Sequence, residues 1–271
     1  MKNHFDMKRT QKNHSVSNRK IGQILGINVI SGSTSSLLMR VEDFISDSIK
    51  FYIVTPNPEL VLMAQRNKKL KEALNSADLP VPDTVRLNYA SKFLFGESLN
   101  IIPGRKLFID LINLSGKKGW KVFLLGGMGN EAEIASRKLQ ITNYKLQIRS
   151  FNGPKLDDNA EPTTEADRKL QKRAIARINR FVPELLFVAF GNPKQEIWIH
   201  KNISKLNIGG AMAVGGAFRY VAGLSALPPG WMEKAGLEWL WRLINEPMRI
   251  GRIFNAVIVF PLKVFIYKIS Q

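Results

Sequence analysis

The chain has 271 residues, no cysteine, and 40 lysine and arginine residues against 22 aspartate and glutamate residues, a formal net charge of +18 at pH 7. The 45% hydrophobic content excludes a wholly disordered chain, and the absence of cysteine excludes a disulfide framework and a thiolate metal site. Such a positive charge indicates a polyanionic partner: nucleic acid, a phosphorylated metabolite or an anionic lipid surface.

The two ends of the chain differ in composition from its middle. Residues 1–19 are polar and basic and lack the apolar core of a signal peptide, which predicts a flexible tail. We expect an α/β catalytic core over residues 20–230 and an arginine-rich amphipathic appendage over residues 231–271. The most apolar stretch, Ile253–Ile266, is interrupted by an asparagine, a proline and a lysine and is shorter than the ~18 residues of a spanning helix. We therefore expect contact with a membrane surface and no membrane span.

Apolar runs alternate with amphipathic patterns along the core, which predicts βαβ units around a mostly parallel, Rossmann-like sheet with helices on both faces. The predicted strands are Ile21–Ile30, Phe51–Val54, Lys121–Leu125, Leu146–Phe151, Leu185–Phe190 and Met212–Val214. The predicted helices are Pro58–Asn75, Arg105–Lys117, Asn130–Gln140, Thr164–Arg180 and Lys194–Lys205. Gly153–Pro162, which is rich in glycine, proline, aspartate and asparagine, is predicted as a surface loop.

Polar side chains occupy two strand-to-helix junctions. Thr55 and Asn57 follow a predicted strand and precede a helix, which places them at the carboxyl edge of a parallel sheet, where ligands bind, and beside a helix N-terminus, which favours anions. Asp83 lies at a second junction and has the chemistry of a general base or of a ribose ligand. Helix capping is the alternative role for these residues, and the junctions alone do not decide between the two.

Glycine-containing turns follow three later strands and are candidates for nucleotide or sugar contact, because glycine lets a backbone approach a phosphate closely. The candidate residues in these turns and the helices after them are Gly126, Gly127, Lys194, Gln195, Gly215 and Gly216. A tight structural turn explains Gly126 and Gly127 equally well, since the sequence around them lacks both the ending of a Walker A loop and the full dinucleotide-binding fingerprint.

Three arginines follow near the C-terminus: Arg242, Arg249 and Arg252. Their spacing of seven and three residues places them on one face of a continuous helix. The planar guanidinium group suits phosphate because it donates two parallel hydrogen bonds. The alternative is a solvated basic face above a layer of tryptophan and leucine. No histidine and carboxylate cluster has metal-ligand spacing and no Asp-x-Asp pair occurs, so neither a metal nor a cofactor is expected.

Together these segments resemble the WecG/TagA/CpsF glycosyltransferase family. The segments that carry the resemblance are Thr55-Pro-Asn57, Pro82-Asp83, Leu125-Gly126-Gly127, Gly191-x-Pro-Lys194-Gln195-Glu196, Val214-Gly-Gly-Ala-Phe218, and Gly236-Leu-Glu-Trp239-Leu-x-Arg242-Leu followed by Glu246-Pro-x-Arg249-x-x-Arg252. They extend over roughly residues 21–252, in the order and spacing of the family.

The resemblance implies an inverting, metal-independent transferase that moves N-acetylmannosamine or a related hexose from a UDP-sugar to a polyprenyl-diphosphate-linked sugar, in teichoic acid or other cell-surface polysaccharide synthesis. It implies peripheral binding to the anionic inner face of the bacterial cell membrane, no cofactor and no nucleic-acid partner, and it leaves a homo-oligomer open. By motif position, Asp83 is the expected general base. Thr55, Asn57 and Gln195 would line the substrate pocket, and the three arginines would close over it from a mobile appendage.

The chain departs from the family pattern at Thr84, where glycine is usual, and at Ala226-Leu227-Pro228. It also lacks an arginine within Asn100–Pro103, for which Arg105 is a possible substitute. Two other classes remain as alternatives. A non-catalytic nucleotide- or nucleic-acid-binding protein fits the charge, although no nucleic-acid-binding signature occurs. A dinucleotide-dependent oxidoreductase is disfavoured because the glycine turn lies in mid-chain and lacks the full fingerprint.

Overall fold

A computed structural model describes residues 19–225, 229–230, 232, 238–245 and 250–270. The strands are β1 (Arg19–Ile24), β2 (Ile27–Ser31), β3 (Phe51–Val54), β4 (Leu79–Pro80), β5 (Lys121–Gly126), β6 (Gln147–Phe151), β7 (Leu185–Ala189) and β8 (Gly210–Ala213). The helices are α1 (Thr34–Ser46), α2 (Pro58–Ala64), α3 (Lys68–Asn75), α4 (Val85–Phe95), α5 (Gly104–Lys118), α6 (Glu131–Thr142), α7 (Glu165–Phe181), α8 (Lys194–Asn202), α9 (Ala217–Val221), α10 (Glu238–Asn245), α11 (Ile250–Phe254) and α12 (Phe260–Ile269).

The central feature is a six-stranded parallel sheet in the order β4-β3-β8-β7-β5-β6. β1 and β2 form a separate antiparallel hairpin. Parallel strands need crossover connections, and the helices that provide them cover both faces of the sheet. The predicted α/β class, with a parallel sheet flanked by helices and an apolar C-terminal helix, is confirmed.

Side chains along the central strands alternate between two apolar cores. In β3, Tyr52 and Val54 belong to the core beneath α2, α3, α4, α7 and α8, whereas Phe51 and Ile53 belong to the core beneath α1, α5, α6 and α9. This alternation follows from the two-residue period of a strand. All residues of β3, β7 and β8 are buried, so these strands meet solvent only beyond their ends.

The structure corrects several predicted boundaries for local reasons. The single strand predicted over Ile21–Ile30 is the β1–β2 hairpin, which turns at Leu25 and Gly26, both with positive φ. The single helix predicted over Pro58–Asn75 divides into α2 and α3, because the Asn67 side chain accepts a hydrogen bond from the Leu70 amide and begins a new helix. Helix α1 was not predicted. Strand β4 and helices α4 and α9 had no predicted bounds, although strand-to-helix junctions were predicted next to them at Asp83 and Gly216.

The C-terminal helix is longer than the sequence predicted. Residues Ile250–Ile269 form one 20-residue helical segment, which by length and composition alone could cross a membrane, so excluding a span on length was wrong. Its middle, Asn255–Val259, is π-helical. This wider turn lies just before Pro261, which has no N–H to donate, and allows the helix to continue through the proline. Phe260 and Val264 are buried against the core.

The domain boundaries after residues 19 and 230 stay predictions. The predicted tail lies almost wholly outside the described residues. The segment around residue 230 is described only in part.

The turn after β5 depends on a glycine. Gly126 has a φ of +98°, and a Cβ atom placed on it would lie 2.7 Å from the Ala189 carbonyl oxygen. Gly96, which ends α4 with a φ of +71°, has open space at the same position. Gly96 therefore isolates the cost of the backbone conformation.

We expect Gly126→Ala to lower the free energy of unfolding by about 3 kcal/mol or more, because a left-handed backbone and a clash with fixed backbone both oppose the methyl group. Gly96→Ala, which adds the conformational cost alone, is expected to lower it by about 1 kcal/mol. Denaturant titration of both variants measures the difference. If the free energy of unfolding fell equally in Gly126→Ala and Gly96→Ala, the close packing of this turn against β7 would be contradicted.

Candidate active site

A cavity of about 940 Å³ lies at the carboxyl edge of the sheet. Its walls include residues that follow β3, β4, β7 and β8, which are four adjacent strands. The first turns of α2, α4, α5 and α9 and the turn that leads into α8 also border it. Helix N-termini carry unpaired N–H groups and a partial positive charge, so the cavity suits an anionic ligand.

Asp83 is half-buried on the cavity wall. Its Oδ1 atom accepts a hydrogen bond of 2.7 Å from the Gly104 amide, the first residue of α5, and its own amide donates to the Pro56 carbonyl. It does not cap α4, the helix that follows it, whose N-cap is Thr84. The Asp83 carboxylate thus ties the loop after β4 to the start of α5, and its backbone amide ties that loop to the loop after β3.

Thr55 and Asn57 lie on the same wall. Asn57 caps α2, because its Oδ1 atom accepts from the Leu60 amide at 3.0 Å. A Cβ atom on Gly104 would lie 3.0 Å from the Thr55 Oγ1 atom, so a glycine at this position lets α5 begin close to Thr55 and Asp83. Capping and cavity lining therefore coincide in Asn57.

Gln195 connects two of the loops around the cavity. Its Nε2 atom donates to Asn192 Oδ1 at 3.0 Å and to Glu196 Oε1 at 2.8 Å, and its Oε1 atom accepts from the Gly215 amide at 3.0 Å. Its side chain is almost fully buried although it lines the cavity. The carboxamide ties the loop after β7 to the loop after β8.

Three arginines bring positive charge to the cavity: Arg86, Arg105 and Arg252. Partial burial lowers the pKa of the Arg86 guanidinium below its usual value, but the group stays cationic. The Arg105 guanidinium lies over the Tyr220 ring, 5.4 Å from its centroid. Arg252 Nε lies 3.4 Å from Glu59 Oε1, which joins the C-terminal helix to α2.

Another part of the cavity lining is apolar. α4 contributes Tyr89 and Phe93, and the C-terminal helix contributes Phe260, Val264 and Phe265. The Phe93 and Phe265 rings stack with their centroids 6.2 Å apart. One cavity therefore combines a polar end at the sheet edge with an apolar end between α4 and the C-terminal helix.

The structure brings together most of the residues that the sequence singled out. Thr55, Asn57, Asp83, Gln195, Gly215, Gly216 and Arg252 line the cavity. Gly126, Gly127 and Lys194 lie outside its lining. Gly126 packs against Ala189, and the Gly127 amide donates to the Ala189 carbonyl at 2.8 Å, so this turn has a packing role. The Arg242 side chain and the whole of Arg249 lie outside the described residues.

Sequence reasoning missed Arg86, Glu59 and Tyr220 as cavity residues, and it named Arg105 only as a substitute for a family arginine. Arg86 stands in the first turn of α4, the helix that follows the predicted junction at Asp83, which is the signal that would have found it. Arg105 stands in the first turn of α5, which follows another helix and no predicted junction. Tyr220 gave no such signal, since it reaches the cavity through the fold of α9.

The fold and the cavity define an α/β protein with a cavity suited to an anionic ligand at the carboxyl edge of a parallel sheet. A family model, the glycosyl transferase WecG/TagA/CpsF family, matches residues 22–271. The chain belongs to this family and is a glycosyltransferase.

Curated relatives support the same class. The N-acetylglucosaminyldiphosphoundecaprenol N-acetyl-beta-D-mannosaminyltransferases of Staphylococcus aureus strains MW2 and NCTC 8325 / PS 47 are each 28% identical to this chain over 251 residues. Each alignment covers 92% of this chain and 91% of the relative.

The Asp83 hydrogen bond provides a test of the site that does not depend on activity. Asp83→Ala removes the acceptor at the start of α5 and is expected to lower the free energy of unfolding by about 1 kcal/mol. Asp83→Asn keeps an oxygen that can accept from Gly104, so its stability is expected to stay within about 0.5 kcal/mol of the parent. Denaturant titration compares the two variants. A loss in Asp83→Asn as large as that in Asp83→Ala would show that the charge, and not the hydrogen bond, stabilises this junction.

Proposed function

We propose that this chain is an inverting, metal-independent glycosyltransferase that moves N-acetylmannosamine or a related hexose from a UDP-sugar to a polyprenyl-diphosphate-linked sugar. The observation that carries the proposal is the placement of the Asp83 carboxylate on the wall of a cavity bordered by helix N-termini and three arginines. The names of the Staphylococcus aureus relatives support the acceptor class and the sugar, because they specify an N-acetylmannosaminyl group and a diphosphoundecaprenol acceptor.

The positive groups around the cavity support the choice of a nucleotide diphosphate donor. As the glycosidic bond breaks, negative charge grows on the departing UDP, and preorganised donors and cations stabilise it. Arg86, Arg105 and Arg252 are such cations, and the helix N-termini add N–H donors. We propose that these groups together neutralise the diphosphate without a metal ion.

Asp83 is proposed as the general base. In an inverting transfer, the acceptor hydroxyl oxygen attacks the anomeric carbon of the donor sugar as the bond to UDP breaks on the opposite face. The acceptor proton passes to the Asp83 carboxylate, and UDP leaves with the electrons of the broken bond. One base near the acceptor is sufficient for this single displacement.

The apolar end of the cavity supports a lipid-linked acceptor. The polyprenyl chain of such an acceptor lies in a membrane while its diphosphate and sugar lie at the surface, so the enzyme must place its cavity near a bilayer. Outside the cavity lining, the C-terminal helix exposes six large apolar side chains, each 50–68% exposed: Ile250, Phe254, Ile258, Leu262, Ile266 and Ile269. An exposed apolar surface of this extent marks an interaction site.

We propose that this helix lies on the membrane surface and does not cross it. Phe260 and Val264 are buried against the core, and the Lys268 ammonium donates to the Leu94 carbonyl of α4 at 2.9 Å. Crossing the bilayer would break these contacts. Lys263 is exposed, and so is Lys92 of α4, the helix that packs against the C-terminal helix; both add positive charge that attracts anionic lipid, by about 1 kcal/mol per residue near the surface.

The transferase proposal is tested by UDP release from candidate UDP-sugars in the presence of a lipid-diphosphate-GlcNAc acceptor. We expect release that depends on the acceptor and persists in EDTA. Asp83→Asn is expected to lower turnover by about 10²–10⁴ while UDP binding survives, because the side chain keeps its size and its hydrogen bond but loses the base. Loss of activity in EDTA would overturn the metal-free mechanism, and turnover within a few-fold of the parent in Asp83→Asn would remove Asp83 as the base.

The membrane proposal is tested by sedimentation with anionic vesicles. Replacement of Ile258, Leu262 and Ile266 together by serine is expected to weaken vesicle binding at least about tenfold, because three exposed apolar side chains outside the cavity lining no longer enter the bilayer. Ile141→Ser, which changes an exposed isoleucine on α6, is the matched control and is expected to bind as the parent does. Unchanged binding of the triple variant would place the membrane contact elsewhere.

A further inference from the structure

Glu196 is a buried carboxylic acid next to the cavity that the proposed mechanism does not use. It follows Gln195 in the first turn of α8, and its side chain is 1% exposed. Its Oε1 atom accepts from Gln195 Nε2 at 2.8 Å, whereas its Oε2 atom has no hydrogen-bond partner among the described residues. A buried polar atom without a partner is costly, so its retention needs an explanation.

The hydrogen bonds of Gln195 provide that explanation. A carboxamide can adopt two orientations related by a flip, and its partners decide between them. The Gly215 amide can only donate, so the Gln195 atom that faces it must be the carboxamide oxygen. The Gln195 nitrogen then donates to a carboxyl oxygen of Glu196 and to the side-chain oxygen of Asn192. Without an acceptor at position 196, one hydrogen of the buried Gln195 nitrogen would lose its partner.

The loops held by this carboxamide form one side of the cavity. Gly191 and Asn192 belong to the loop after β7, Gly215 and Gly216 to the loop after β8, and all four line the cavity. Gly191 and Gly215 have positive φ, so these loops adopt conformations that depend on tertiary contacts to select them. The Gln195 carboxamide is such a contact between them.

We propose that Glu196 is a positioning residue that fixes the Gln195 carboxamide and thereby holds the loops after β7 and β8 in the conformation that binds the donor. The proposal rests on the proposed function for the identity of the donor. It extends that function, because Glu196 touches neither the cavity nor a substrate and acts through Gln195.

The ionisation of Glu196 is expected to change the strength of this contact. The pKa of the Glu196 carboxyl is raised to about 7, chiefly by burial and to a smaller extent by the negative charge of Glu59 on α2, against the hydrogen bond from Gln195, which lowers it. Glu59 is itself paired with Arg252. His200, one turn along α8, pairs with Glu72 and with the Tyr52 hydroxyl.

The sign of the effect follows from the raised pKa. The folded protein holds the Glu196 proton more tightly than the unfolded chain does, so the stability contributed by the neutral acid is lost as pH rises from the ordinary glutamate pKa towards 7. In the same range the Oε1 atom becomes a stronger acceptor, and the Gln195 and Gly215 bonds polarise with it.

The test follows the Gly215 amide signal of the full chain by ¹⁵N–¹H NMR with labelled glycine, between about pH 5.5 and about pH 8.5. We expect this signal to titrate with a midpoint near 7 in the parent and to stop titrating in Glu196→Gln, which keeps an acceptor but cannot ionise. Glu131→Gln is the matched control: Glu131 is also buried, but it accepts from the Met128 amide in the turn after β5, and the Gly215 signal is expected to titrate there as in the parent.

Kinetics with the UDP-sugar provide the second readout. Glu196→Leu, which removes the acceptor, is expected to raise the KM for the donor at least about tenfold with a smaller change in kcat, and Glu196→Gln is expected to restore KM to within about threefold of the parent. A Gly215 signal that does not titrate, or that titrates equally in Glu196→Gln, would overturn the proposal. Because this signal requires no activity, its failure is distinct from failure of the transferase proposal, and Glu196→Gln keeps the test valid if Glu196→Leu does not fold.

Discussion

Burial of both faces of the parallel sheet is the constraint on which the rest of the structure depends. β3, β7 and β8 are buried along their whole length, because helices pack on either side of them. A ligand can therefore reach these strands only beyond their ends. At the carboxyl edge, the helices that begin after β3, β4, β7 and β8 turn their first residues toward the same space, so the topology that buries the sheet also creates a cavity bordered by helix N-termini.

The polar residues at this edge have two roles at once. Asn57 caps α2, Asp83 accepts from the first amide of α5, and Gln195 joins two loops, yet all three line the cavity. The sequence left open whether such residues cap helices or line a ligand site, and in the structure these three residues hold the backbone in place and also line the cavity. A side chain held by backbone hydrogen bonds loses little further freedom when a substrate binds, and such preorganisation favours catalysis.

Much of this architecture could be predicted from the sequence, because buried parallel strands are continuous apolar runs between glycine, proline and polar junctions. The predicted bounds of the strands at 51, 121 and 185 lie within one residue of the observed ones. The bounds of β4 were not predicted because two residues are too few to show the alternating pattern of a strand. Helix α1 was missed because no motif typical of a strand-to-helix junction precedes it.

The site could be predicted only where a motif stands directly after a strand. The turn at Gly126–Gly127 has the composition of a phosphate loop, but Gly126 is needed for packing against Ala189, and composition does not distinguish the two uses. Arg105 and Tyr220 reach the cavity through the tertiary fold, and the sequence alone does not distinguish a charged helix residue that lines a cavity from one that faces solvent. The apolar end of the cavity depends on the packing of the C-terminal helix against α4, which no local pattern specifies.

The most direct test of the account is a crystal structure of the chain with UDP. We expect the nucleotide to lie in the cavity at the ends of β3, β4, β7 and β8, with its diphosphate within hydrogen-bonding distance of at least one of Arg86, Arg105 and Arg252. UDP bound at the Gly126–Gly127 turn, or anywhere else outside this cavity, would contradict it.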